Sequence, residues 1–110
     1  MFHDAPILAF AASPGEVTIE IGSFAVSETE DHPGARIRIT GFRRISMNGA
    51  EVPEASSPSQ EGEILGLDED AGGVDLSVQW DLPDRRSEFV RYRFEGESAR
   101  VEVALSAGPR

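Results

Sequence analysis

Five segments of this chain alternate apolar and polar residues one by one, and this alternation limits the possible folds more than any other feature. The segments are 17–21, 36–40, 74–80, 90–94 and 101–105. A period of two is typical of a β-strand with one face against a core and one face in water. No stretch shows a competing helical period, so the sequence predicts an all-β domain of antiparallel strands.

Turn residues and polar segments separate the predicted strands. Asn48-Gly49 is a hairpin turn dipeptide. Segments 27–34 and 52–62 are polar and contain Pro, and we expect flexible surface loops there. Residues 106–110 are expected to form a loose tail. The 110 residues are therefore predicted to form a single domain, either an antiparallel β-sandwich or a partly open barrel, with about seven or eight short strands.

Two positions complicate this simple pattern. At Gly41 the alternation changes phase, which indicates either a β-bulge or a bend between two sheet regions. Residues 64–67 are mostly apolar and precede the acidic stretch Asp68-Glu-Asp-Ala-Gly-Gly73. There we expect a short strand followed by an acidic hairpin loop.

The residue types limit the chemistry that this chain can perform. The absence of Cys excludes thiolate catalysis and Cys-ligated zinc. No phosphate-binding loop, dinucleotide fingerprint or nucleophile motif is present. We therefore expect a non-catalytic protein without a cofactor. An enzymatic alternative would depend on His3, Asp4 or His32.

Acidic residues outnumber basic ones 20 to 10, which gives a formal net charge of −10. This charge repels nucleic acid and accelerates association with a basic protein partner. The apolar segment 6–12 follows no basic residue and is too short to span a bilayer. It therefore predicts neither a signal peptide nor a membrane contact. Together with the absence of Cys, this favours a cytoplasmic location.

The candidate residues for binding a basic partner lie in two acid-rich segments and on one strand. Those in the acid-rich segments are Glu28, Glu30, Asp31, Asp68, Glu69 and Asp70. Phe89 shares the outward parity of Arg91 and Arg93, so we expect its ring to be exposed. An exposed aromatic residue beside arginines is typical of an interface hot spot.

The aromatic residues of inward parity are expected to form the core rather than to bind a ligand. They are Trp80, Tyr92 and Phe94.

Four arginines on the outward positions of two strands are candidates for anion binding. They are Arg36, Arg38, Arg91 and Arg93. If the two strands are neighbours, the guanidinium groups form a basic stripe that can hold a phosphate or a carboxylate. The alternative is that these arginines form cross-strand ion pairs with Glu20, Asp75 or Glu102.

The stretch from Asp68 to Asp75 resembles the front of a calcium-binding loop, because acidic residues alternate and Gly follows. The twelfth position is Gln79 instead of the bidentate Glu of such loops, so we assign no metal site. A small-ligand or metal-binding β domain, using this loop or the arginine stripe, is the alternative function.

The opening Phe2-His-Asp-Ala-Pro-Ile7 and several later segments resemble those of small bacterial all-β proteins. The later segments are 16–21, 37–42, 63–67, 92–96 and 99–102. Such proteins open with His-Asp-Ala and include uncharacterised families and the immunity-protein-50-like group, which neutralises bacterial toxins. The resemblance implies a protein that binds rather than catalyses, and it carries over only the polar pair His3 and Asp4.

These observations make a non-catalytic bacterial protein of the immunity or inhibitor type the leading hypothesis. Its acidic loops would contact a basic partner protein. Association of two copies through an exposed edge strand is compatible with this function.

Overall fold

The computed structural model describes residues 4–27 and 30–105, and all regular secondary structure within these ranges is β-strand. The strands are β1 (Ala5–Ser13), β2 (Glu16–Ile21), β3 (Phe24–Ser27), β4 (Glu30–His32), β5 (Ala35–Thr40), β6 (Arg44–Met47), β7 (Ala50–Val52), β8 (Glu61–Asp70), β9 (Gly73–Asp81), β10 (Ser87–Glu95) and β11 (Arg100–Leu105). The predicted all-β antiparallel fold is confirmed, and residues 4–27 and 30–105 form eleven strands where seven or eight were expected. All five alternating segments lie in strands, namely β2, β5, β9, β10 and β11.

Nine strands form one antiparallel sheet in the order β11-β5-β2-β1-β8-β9-β10-β6-β7, and β3 pairs with β4 as a separate hairpin. The sheet divides where β1 meets β8, because these strands pair only between residues 5–7 and 62–64. Both strands change register just beyond this short ladder, between Ile7 and Ala9 and between Ile64 and Gly66. Such β-bulges bend a strand, and here they let the two halves of the sheet separate.

The two halves of the sheet then face each other across one core. The ring of Phe10 on β1 lies 5.6 Å from that of Trp80 on β9 and 5.7 Å from that of Tyr92 on β10. Neither strand is a neighbour of β1 in the sheet, so these contacts join the halves. The residues of inward parity supply the core, including Ile19, Ile37, Leu76, Val78 and Phe94, which are fully buried.

A hydrogen-bonded chain fixes the segment after β7 to this core. The Trp80 indole N–H donates to the Tyr92 hydroxyl at 3.0 Å, and that hydroxyl donates to the backbone oxygen of Ser56 at 2.7 Å. Ala55 is also buried. The segment predicted to be a flexible loop over 52–62 is therefore anchored at its centre by one apolar and one polar contact.

Gly41 lies where the chain crosses from β5 in one half of the sheet to β6 in the other. Of the two alternatives that the phase change allowed, the bend between sheet regions is confirmed and the bulge is wrong. Gly41 has a φ of 76°, and a Cβ atom at this position would clash with the backbone oxygen of Ser98. The crossing therefore requires glycine on both conformational and steric grounds.

Two predicted loops are shorter than expected. The segment 27–34 contains β4, so the prediction of a loop throughout is wrong. Asp68, Glu69 and Asp70 belong to β8, because Asp70 pairs with Gly73 and only residues 71 and 72 form the turn. The Asn48-Gly49 turn between β6 and β7 is confirmed, and both residues have positive φ. No helix in the described part of the chain is long and apolar enough to cross a membrane.

The Tyr92 hydroxyl provides a pH-dependent test of this core. Burial raises the pKa of Tyr92 to about 12, the bond from Trp80 opposes the shift, and the Glu88 carboxylate adds to it. Because the pKa is higher in the folded than in the unfolded chain, Tyr92 stabilises the fold below about pH 10, and this contribution disappears as the pH rises through about 12. Tyr92 is the chain's single tyrosine, so tyrosinate absorbance reports on it alone.

We expect Tyr92→Phe to lower the free energy of unfolding by about 1–3 kcal/mol at neutral pH, because the Trp80 N–H and the Ser56 oxygen lose their partner. The variant should also lose the decline in stability above pH 10. Urea unfolding across the alkaline range measures both effects. Ionisation of Tyr92 at its ordinary pKa in the folded protein would contradict the described core.

Candidate functional site

The outer side of β2, β5 and β11 has balanced charges. Its acidic residues are Glu16, Glu20 and Glu102, and its basic residues are Arg36, Arg38 and Arg100. Arg36 binds Glu20 at 2.8 Å, while Arg38 bridges Glu16 at 2.9 Å and Glu102 at 3.3 Å. Arg100 approaches Glu102 at 3.8 Å. We call this surface the neutral face.

The outer side of β8, β9 and β10 has a large excess of acid. Its carboxylates are those of Glu61, Glu63, Asp68, Asp70, Asp75, Asp81 and Glu95, and its guanidinium groups are those of Arg91 and Arg93. Seven acids against two bases give this surface a formal charge of −5, half of the chain's total of −10. We call it the acidic face.

The arginines of the acidic face are engaged at one end of it. Arg93 binds both oxygens of Asp70, at 3.0 and 3.1 Å, and Asp75 at 2.8 Å. Arg91 lies 3.9 Å from Asp75. The bond from Arg93, with a second from the Gly72 backbone N–H, lowers the pKa of Asp70 to about 2. These contacts join β8, β9 and β10 and compensate two of the seven acids.

The remaining part of the acidic face surrounds one exposed aromatic ring. Phe89 is 62% exposed and pairs in register with Gln79, which in turn pairs with Glu63. Two residues further along the same two strands, Asp81 of β9 pairs with Glu61 of β8. None of these three carboxylates has an ion-pair partner among the described residues. We call Phe89, Gln79, Glu61, Glu63 and Asp81 the Phe89 surface.

The backbone on either side of Phe89 is hydrogen-bonded to the Asn48 side chain. The Asn48 side chain donates to the backbone oxygen of Phe89 at 3.4 Å and accepts from the backbone N–H of Arg91 at 2.8 Å. Beside the ring, Gln79 donates to the Ser87 hydroxyl at 3.1 Å. The amide of Asn48 thus replaces a neighbouring strand where β6 ends, and the ring is presented from an ordered ladder.

The predicted basic stripe is wrong, because its two strands are not neighbours. β5 carries Arg36 and Arg38, β10 carries Arg91 and Arg93, and four strands lie between them in the sheet. The alternative of cross-strand ion pairs with Glu20, Asp75 and Glu102 is confirmed for these arginines.

The three acids predicted in a hairpin loop instead alternate along β8. Asp68 and Asp70 lie on the acidic face, and Asp70 is bound by Arg93. Glu69 points to the opposite side and accepts the backbone N–H of Val101 at 3.0 Å. A shared acidic contact loop is therefore wrong for these residues. Within residues 4–27 and 30–105, no cluster of His, Asp and Glu is arranged to hold a metal ion.

Several other predicted site residues lie outside the described ranges or near the ends of those ranges. His3 and Glu28 are outside the described residues, and the backbone of Glu30 and Asp31 lies in β4. Asp4 occupies the turn before β1 with a φ of 61°. His32 stacks on Phe24 with ring centroids 5.7 Å apart.

Sequence reasoning did not single out Arg43 and Arg44, which line an open cleft of about 520 Å³ together with Arg93. Glu95 and Glu97 line the same cleft, so positive and negative groups are mixed there. The sequence also did not single out Glu61, Glu63 and Asp81 as site residues. Their outward parity was visible, but their proximity to Phe89 depends on the order of the strands.

Comparison of the chain with protein-family models, curated proteins and solved structures finds no match.

The ion pair of Arg93 predicts a specific titration. We expect the Asp70 carboxyl to titrate with a pKa of about 2, followed by carbon NMR of its side chain, and Arg93→Gln to return it towards 3.8. Because the folded pKa is depressed, the pair stabilises the fold above the ordinary pKa of Asp70 and loses this effect as the pH falls through about 2. Arg91→Gln is the matched control and should leave the value unchanged. An ordinary pKa for Asp70 in the unmodified protein would refute the arrangement.

Proposed function

We propose that this protein is a non-catalytic binding protein of the immunity or inhibitor type, and that it holds a basic partner protein against its Phe89 surface. The observation that carries the proposal is the unequal distribution of charge. Acids are balanced one for one on the neutral face, but unbalanced acids surround the single large exposed aromatic of the acidic face.

The Phe89 surface has the composition of a binding site for a cationic protein. Aromatic residues concentrate binding energy where a partner excludes water from them, and a rim of charge around such an anchor sets the choice of partner. Here the anchor is Phe89 and the rim consists of Glu61, Glu63 and Asp81. A partner with an apolar pocket bordered by Lys or Arg complements this arrangement.

The electrostatics favour rapid association. Carboxylates that face solvent without a bound cation attract a basic protein from a distance, and this attraction decreases with ionic strength because the Debye length is about 8 Å at physiological salt. Asp68 extends the field along the same face, whereas Glu95 lies opposite Arg44 of β6. An inhibitor that must capture a toxin quickly benefits from such steering.

The resemblance of the opening segment and the strand segments to immunity-protein-50-like proteins supports the same proposal. So does the absence of catalytic motifs in a chain without Cys or Lys. We include in the proposal a bacterial source and a cytoplasmic site of action, where an immunity protein would protect the producing cell.

The test is to isolate the partner from lysate of the source organism at low salt and to measure its affinity for defined variants. We expect Phe89→Ala to weaken binding by roughly 30-fold, equivalent to about 2 kcal/mol. Asp81→Lys should weaken it at low salt and much less at high salt. Isothermal titration calorimetry at two salt concentrations measures both effects.

Two matched controls separate the location of a change from its chemistry. Glu20→Lys alters the net charge by the same amount as Asp81→Lys, but lies on the neutral face. Leu8→Ala removes an apolar side chain that is 66% exposed and lies on β1. Binding that responds equally to Glu20→Lys and Asp81→Lys, or that ignores Phe89→Ala, would disprove the proposal.

A further inference from the structure

The two outer edges of the nine-stranded sheet differ in how they are protected. β7 is three residues long, carries Glu51 and is followed by Pro53, features that prevent further strand pairing. β11 is six residues long and contains no Pro. Within the described residues it pairs on one side only, with β5.

The inner side of β11 is also incompletely covered. Val103 is 38% exposed and Leu105 is 55% exposed. Together with Val101 they form the apolar row of this strand. Among the described residues, the edge N–H groups of Val103 and Leu105 have no hydrogen-bond partner, whereas that of Val101 is bound by the Glu69 side chain. An edge strand with such free backbone groups and an uncovered apolar row is a template for pairing with another strand.

We propose that β11 pairs with β11 of a second copy of this chain, antiparallel about a two-fold axis at Val103, so that the sheets of the two copies become continuous. This interface lies apart from the Phe89 surface and does not depend on the proposed function.

The backbone restricts which residues can face each other. The N–H of Val101 binds the Glu69 side chain at 3.0 Å and therefore points away from β5. By the period of two, the N–H and C=O groups of Val103 and Leu105 point the same way. Only registers that pair odd-numbered residues with odd-numbered residues allow these groups to bond across the axis. In such a register the Val101 N–H exchanges the Glu69 carboxylate for a backbone oxygen of the second copy, while Val103 and Leu105 supply groups that are free in one copy.

Charge selects one register among those allowed. With Val103 opposite Val103, Val101 faces Leu105 and Glu102 faces Ala104, so all pairs of the apolar row are apolar and no like charges meet. Shifting the axis to Glu102 places two carboxylates directly opposite each other, which is unfavourable. Axes at Val101 or Ala104 leave only three residues of each strand paired.

The charge distribution permits this association despite the net charge of −10 on each copy. The outer side of β11 belongs to the neutral face, where Glu102 is held by Arg38 and approached by Arg100. The acidic faces lie on the other half of each sheet, so the repulsion between two copies is smallest where β11 meets β11.

Sedimentation equilibrium over a wide range of concentrations tests the association. We expect the unmodified chain to show a reversible monomer–dimer equilibrium. Val103→Pro should be monomeric, because proline removes an N–H that the dimer uses and that β5 does not. Phe89→Ala, which changes an exposed apolar residue on the other half of the sheet, should dimerise as the unmodified chain does.

Engineered thiols test the register, since the chain has no Cys of its own. Val103→Cys should form a disulfide-linked dimer on mild oxidation, because the two Cα atoms of a bonded pair are about 5.5 Å apart. Glu102→Cys should not, because its two Cα atoms would be about 8 Å apart.

Three results would overturn the inference. The first is an unmodified chain that stays monomeric at every concentration, and the second is a dimer that persists in a folded Val103→Pro variant. The third is cross-linking through Glu102→Cys without cross-linking through Val103→Cys. Loss of partner binding in Phe89→Ala with an intact dimer would separate the two surfaces experimentally.

Discussion

The packing of Phe10 against Trp80 and Tyr92 is the contact on which the arrangement of this molecule depends. A single nine-stranded sheet has one apolar side, and this side is removed from water only if the sheet folds over on itself. The bulges in β1 and β8 provide the bend, and the three rings join the halves across it. As a consequence the polar side of the sheet becomes two separate outer faces.

Those two faces have different charges, and the proposed binding surface lies on the more acidic one. On the neutral face the arginines of β5 are matched by glutamates of β2 and β11. On the acidic face Arg93 binds only Asp70 and Asp75, and the acids near Phe89 have no ion-pair partner among the described residues. The same fold thus presents one surface suited to a cationic partner and, at the edge of the other, a strand on which two copies can meet with little repulsion.

The inward and outward sides of the strands could be predicted from the sequence, whereas the order of the strands in the sheet could not. Alternation correctly assigned the inward and outward sides of β2, β5, β9 and β10, including the exposure of Phe89. Alternation could not show which strands are neighbours, so the predicted stripe joined arginines whose strands have four other strands between them. Only the bulge in β8 had an indication in the sequence, because the apolar residues Ile64 and Leu67, which are both buried, are three positions apart rather than two or four.

We propose that a cationic partner meets the outer side of β8, β9 and β10. Titration of the isotope-labelled protein with a short oligolysine peptide, followed by backbone amide NMR shifts, tests it most directly. The account predicts shifts concentrated around Phe89, Gln79, Glu63 and Asp81 that vanish at high salt. Shifts concentrated on the outer side of β2 and β5, or spread evenly over both faces, would contradict it.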